Sequence, residues 1–269
     1  MVPALWGHAS SGRTKAYEHE ISNQMPMSQE EFQYTDEVLA RLEKYLSPER
    51  LAAYYGLARG DKWVAIRLYE RNTELSEALY GVIQGLEVAL RNAIHNVMTT
   101  RAGSPAWYDS IPFEEDEREA IGEAKRKIAE RPAPVTPGRV IADLTFGFWV
   151  KLFTGSYEKS LWVPTLRKIF PLMVGRKLLH GRLVELKTLR NRIAHHERIV
   201  ERDLLKDYAS IIETIGWLSP DVQRWVSATN CFNERFGKKL PKKPTPPTSV
   251  VLAAAAPLPA DSDGAAKPN

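Results

Sequence analysis

Between Asp61 and Thr100 the apolar positions Leu68, Leu75, Leu79, Val82, Ile83, Leu86, Leu90, Ile94 and Val97 recur, from Val82 onward in steps of three or four. Such steps place side chains on one stripe of an α-helix and predict a long helix with one buried face. Asn72-Thr73 reads as a break near its start. Ser28 followed by Glu31 has the spacing of a capping box and opens a helix reaching about Leu46. Ser47 and Pro48 have the residue types of an N-cap and first helical position, and open the next. Further on come an acidic helix at 114–130, the loop "RPAPVTPG", and helices at about 138–154, 163–171, 175–197, 200–217 and 220–235. No segment alternates with period two between turn residues, and no internal repeat is visible. The pattern predicts an all-α fold, with one helical domain over 26–236.

The two ends differ from this body. Residues 1–25 mix Gly, Ser and charges without periodicity and read as a disordered arm. Residues 237–269 form a Pro/Ala-rich tail that cannot bury a core and read as disordered. With 269 residues, 43% of them hydrophobic, the chain can bury a sizeable core. No apolar run approaches a membrane span or a signal core, so a cytoplasmic protein without a membrane partner is expected. The single cysteine, Cys231, excludes an internal disulfide and a cysteine-rich zinc site.

Charge adds a second picture. The formal net charge is +4, yet residues 151–200 hold eleven Lys and Arg against three Glu, a net +8, which leaves −4 for the rest. Such a patch attracts a polyanion, with nucleic acid the commonest candidate, or is simply a solvated face.

Within it lies "LRNRIAHH", residues 189–196. At about 100° per residue, Leu186, Leu189 and Ile193 form a buried stripe and His196 falls almost on it. That position favours a packing role for His196. Asn191 and His195, four apart, share another face, and Arg190 lies about 140° from His195 on a regular helix. The spacing Arg190-x4-His195 by itself is compatible with a structural or a catalytic role. No P-loop, dinucleotide turn or HExxH is present, and nothing completes a ligand set around His180, His195 and His196, so no metal and no cofactor are expected.

The blocks "RLYERNTELSEALYGVIQGLEVALRNAIHNVM", "WYD", "VIADLTFGFWVKLF" and "LKTLRNRIAHHERIV", in this order between about Ser47 and Asn230, resemble the Abi-like family of abortive-infection proteins. That family belongs to the HEPN superfamily of small helical domains. The resemblance implies a HEPN-like bundle with additional N- and C-terminal helices. It also implies a metal-independent endoribonuclease, acting in phage defence or as a toxin. The superfamily's motif is Arg-x4–6-His with a polar residue after the arginine, which Arg190, Asn191 and His195 match. His196 gives an alternative five-residue gap. A tyrosine two residues beyond the histidine marks HEPN domains that are targets of nucleotide modification. Here that residue is Glu197.

The implied partners are RNA, a second copy of the chain, and an unidentified trigger or inhibitor. The dimer is expected because cleavage needs an acid and a base, and two facing motifs supply both. Phe146, Phe148 and Trp149 belong either to the core or to that interface. On the helix implied to pack near the motif, Glu87, Arg91 and Asn92 are auxiliary candidates. Glu87 either pairs locally with Arg91 or orients Arg190 or His195. The other functional reading is a non-catalytic helical protein that binds RNA or regulates.

Overall fold

The computed structural model describes residues 32–132 and 134–243. The 1–25 arm, the Ser28–Glu31 capping pattern and the tail beyond Lys243 lie outside the described residues. Among those described, every regular element is a helix or a helical turn. The helices are α1 (Asp36–Leu46), α2 (Pro48–Leu57), α3 (Lys62–Ala102), α4 (Glu115–Ala129) and α5 (Pro137–Asp143). They continue with α6 (Phe146–Lys151), α7 (Arg176–Ala194), α8 (Leu204–Leu218), α9 (Pro220–Thr229) and α10 (Phe232–Gly237). Short π and 3₁₀ turns join α6 to α7, at Glu158–Trp162 and Leu166–Ile169.

The 41-residue α3 is the beam on which the rest is hung. At 1.5 Å per residue it is roughly 60 Å long. Asp61 caps it by accepting from Val64 N at 3.1 Å, and Gly103 ends it with φ +65°, a conformation glycine takes without a Cβ clash. Leu79, Val82, Ile83, Leu86, Leu90 and Ile94 are all 1% exposed or less. They share a core with Trp107, Trp149, Phe153, Leu183, Leu186, Ile211 and Phe232. Fully burying each such large side chain contributes about 1.5–3 kcal/mol. Phe146, Phe148 and Trp149 are in that core. A second, smaller core joins α1 and α2 to the first turns of α3 through Leu39, Leu51, Tyr54, Trp63 and Ile66.

The expected break at Asn72-Thr73 does not occur. α3 runs through it, and Asn72 is a buried residue whose side chain bonds across the fold. The expected 138–154 helix is divided instead: Leu144 is extended and Thr145 caps α6 by accepting from Phe148 N. The 163–171 segment holds only a 3₁₀ turn, flanked by Pro164 and Pro171, which have no N–H to donate to a longer helix. The 220–235 helix is cut at Asn230. Its side chain donates to Val226 O at 2.7 Å and accepts from Phe232 N at 3.0 Å, closing α9 and starting α10.

Where α3 ends, His95 Nδ1 accepts from Trp107 Nε1 at 3.0 Å. Burial holds this imidazole below its ordinary pKa of 6.5. Its neutral form is thus the folded one, and its contribution is present above the unfolded pKa and lost as pH falls through the folded value. His95→Gln keeps an acceptor without a titration. It is expected to flatten part of the fall in melting temperature below about pH 6.5, measured by thermal denaturation across pH.

Candidate functional site

α7 carries its apolar stripe as Leu179, Leu183, Leu186, Leu189 and Ile193, all buried against the core. The helix stops at Ala194, two residues short of the end of the histidine pair. His195 is its C-cap, with φ −93° and ψ 10°. His196 then turns left-handed at φ +56°. Its N–H bonds to Ile193 O at 3.0 Å, and Glu197 N to Arg192 O at 2.8 Å. These two bonds make a Schellman closure, in which glycine usually holds the place that His196 takes here. Because the chain leaves the helix, the wheel no longer applies. His196 is exposed, not packed on the apolar stripe, and His195 is exposed beside it.

The turn is tied down from three sides. Asn72 Nδ2 donates to Glu197 O at 3.2 Å, and Ile199 N donates to Asn72 Oδ1 at 2.7 Å. From α2, Arg50 Nη1 donates to His196 O at 3.0 Å. In return Arg198 Nη1 donates to Ala53 O at 3.0 Å. These anchors lie 125 to 146 residues away in sequence.

Two hollows flank the turn. One, of about 620 Å³, lies between α3 and the end of α7 and is lined by Tyr69, Thr73, Ser76, Tyr80, Arg190 and His196 among others. Arg190 reaches it with its Nε donating to Glu87 Oε1 at 2.8 Å, an ion pair in which both side chains are partly buried. Glu87 thus contacts Arg190, and no Glu87–Arg91 ion pair occurs among the described residues. The pair fixes the guanidinium plane and leaves other N–H groups free to donate. The other hollow, of about 750 Å³, contains His195, His196, Arg50, Arg192 and Arg198, with Glu49, Glu197 and Glu201 as the opposing charges. Its Tyr54 is pushed up to about 12, first by burial and then by Tyr69 nearby, so its phenol is neutral.

The sequence candidates therefore fall into three places. Arg190 and His196 meet at the first hollow, with Glu87 behind Arg190 as its ion-pair partner, while His195 lines only the second. Asn191 is exposed on α7 and lines neither. Asn92 faces an apolar groove between α3 and α9, and Arg91 has a buried Nε without a hydrogen-bond partner. Arg50, Asn72, Tyr69 and Tyr80 were not read from the sequence as site residues. The only sequence signal for the last two is the 69, 73, 76, 80 spacing, which defines a second face of α3, distinct from its apolar stripe.

The basic patch is smaller than its sequence count. Of its eleven cations, Lys151, Arg176, Arg182, Arg190, Arg192 and Arg198 stand within 4.0 Å of a carboxylate. Lys177, exposed and outside those pairs, sits in the first turn of α7, roughly 26 Å along the helix from Ala194. Among the described residues no group of three or more His, Cys, Asp or Glu is placed to hold a metal ion, and no helix is long and apolar enough to cross a membrane.

No curated protein and no solved structure matches the chain. A family model described as Abi-like protein matches residues 40–201, more than half of the chain. The match covers α2 through α7 entirely, including Arg50, Ala53 and Asn72, which anchor the histidine turn, and the turn itself. The chain belongs to the Abi-like protein family.

Proposed function

We propose that the protein is a metal-independent endoribonuclease of the HEPN type that acts in abortive infection. The observation that carries this reading is the meeting of Arg190, held by Glu87, with a turn that exposes both His195 and His196. In this reading the ribose 2′-hydroxyl gives its proton to one imidazole and its oxygen attacks the adjacent phosphorus. The bond from phosphorus to the 5′-oxygen breaks, and that oxygen takes a proton from a second imidazole. The products are a 2′,3′-cyclic phosphate and a free 5′-hydroxyl. Imidazole suits both proton transfers because its ordinary pKa lies near neutrality. Arg190 presents a charged fork to the non-bridging oxygens as negative charge builds on them.

The motif spacing points to His195 and the shared hollow points to His196. Both are assigned to proton transfer, with Arg190 holding the phosphate. Asn191, exposed beside them, faces the strand or a second copy. A homodimer is part of the proposal. What supports it is an apolar groove of about 690 Å³ adjoining the site, lined by Gly81, half-buried Val88 and Val222, and a 63% exposed Trp225.

The experiment is cleavage of single-stranded RNA by purified protein in EDTA, with end-group analysis and light scattering on the same sample. Cleavage is expected to persist in EDTA, to leave 2′,3′-cyclic phosphate ends, and to come from a dimer. Arg190→Lys is expected to slow it by about 10²-fold, the scale of losing one oriented charge donor. Activity that vanishes in EDTA would overturn the mechanism, and an active monomer would overturn the dimer. RNA binding without any cleavage would favour a non-catalytic role.

A further inference from the structure

The wall of the 620 Å³ hollow opposite Arg190 is a face of α3 of which only Tyr69 packs on a core, the smaller one. Tyr69, Thr73, Ser76 and Tyr80 follow one another in steps of four, three and four, so they stand in a row along the helix. A face meant for the core would be aliphatic, and a face meant only for solvent would be charged. This one is aromatic and hydroxylic.

Tyr80 is 51% exposed, and among the described residues its ring and hydroxyl have no partner. Tyr69 is braced edge-on by Tyr54 at 5.5 Å between centroids. Thr73 and Ser76 donate their hydroxyl hydrogens to Tyr69 O and Asn72 O, which leaves their lone pairs free to accept. Glu77 stands at the rim, where its charge repels a phosphate and leaves Arg190 as the cation in the hollow.

A nucleotide has the complementary chemistry. Its base offers a π-face to a tyrosine and ring-edge donors to hydroxyl oxygens, while its phosphate belongs at the guanidinium. A base can reach the wall of such a hollow only when it is unpaired and unstacked from its neighbours. We infer that this face of α3 is a base-binding subsite for single-stranded RNA, in which Tyr80 stacks on the base beside the phosphate held by Arg190. The inference rests on the ribonuclease reading and adds the residue that holds the base.

The test compares wild type with Tyr80→Phe, Tyr80→Leu and Tyr80→Ala. Substrates are a single-stranded RNA oligonucleotide, its duplex, and the single strand with an abasic nucleotide next to the mapped cleavage point. Tyr80→Phe is expected to keep kcat/KM, whereas Tyr80→Leu and Tyr80→Ala lose about tenfold, the scale of one base–aromatic stack. The abasic substrate should slow the wild type by a similar factor and leave Tyr80→Ala unaffected, since the stack is already gone. The duplex should be cut far more slowly than the single strand. Melting temperatures should match, because the residue is half exposed and lies outside both cores. Equal rates for Tyr80→Ala and wild type on the single strand would overturn the subsite, as would full activity in Tyr80→Leu or equal cleavage of the duplex. Should the wild type cleave no RNA, the ribonuclease reading fails on its own. Binding of a fluorescent single strand, weakened about tenfold in Tyr80→Ala, would then still uphold the subsite.

Discussion

Replacing His195 by alanine is expected to lower RNA cleavage by about 10²-fold or more while the fold is unchanged, and replacing His196 by glycine is expected to do the same. The two variants differ because the backbone differs. His195 is the helix C-cap in an ordinary conformation, exposed, and its main-chain N–H bonds to Asn191 O whatever the side chain. Alanine is therefore a clean deletion there. His196 stands at φ +56°, where any residue with a Cβ is strained and glycine is not. His196→Gly should leave the melting temperature equal to that of the wild type or above it, so loss of cleavage in it reports chemistry. His196→Ala would keep the strain and lose the imidazole, a poorer control. Rates and melting curves for both variants decide the assignment. Loss in one variant alone names a single proton-transfer residue in each chain and makes the second copy obligatory. Unchanged cleavage in both, with contaminating nuclease excluded, would remove the mechanism.

The second large effect is on stability and falls on Asn72. It is 4% exposed, and its side chain satisfies two backbone groups of the segment after the histidines. Asn72→Ala leaves a buried N–H at Ile199 without its acceptor and deprives Glu197 O of its donor. Each unmet buried group costs about 1–3 kcal/mol, so a loss of about 3 kcal/mol is expected. For a domain of this size that is a fall of roughly 6–12 °C in melting temperature. Asn72→Asp keeps the acceptor for Ile199 but turns an oxygen toward Glu197 O, and should fall between the two. Cleavage should drop in both variants even at temperatures where they are fully folded, since the turn loses one of its ties. A wild-type melting curve in Asn72→Ala would show that the clamp contributes nothing.

What the sequence made readable was local. The three-and-four steps from Val82 onward marked the buried face of α3, and Ser47 with Pro48 marked the start of α2, because caps and stripes depend on neighbours within a turn. Asn72 was misread for the same reason. A polar pair inside an apolar pattern resembles a break when its partners, Glu197 and Ile199, are more than a hundred residues away. His196 was misplaced because wheel geometry was extended past Ala194, where the left-handed turn begins. The sequence count overstates the basic patch because acids that neutralise it, Glu87, Asp116, Glu201 and Glu213, belong to other segments. The Arg-x4-His spacing names His195 and is silent about which imidazole shares a wall with Arg190.

The long reach of the ties on the histidine turn also bears on when, during synthesis, the turn can take its shape. Arg50, Ala53 and Asn72 emerge early and wait through more than a hundred further residues for the turn they hold. A nascent chain that stops at Glu197 has the arginine and both imidazoles but lacks the ties made by Arg198 and Ile199. Translation must bring the turn out of the exit tunnel before these ties can close. The geometry around the two histidines is therefore set only late in synthesis.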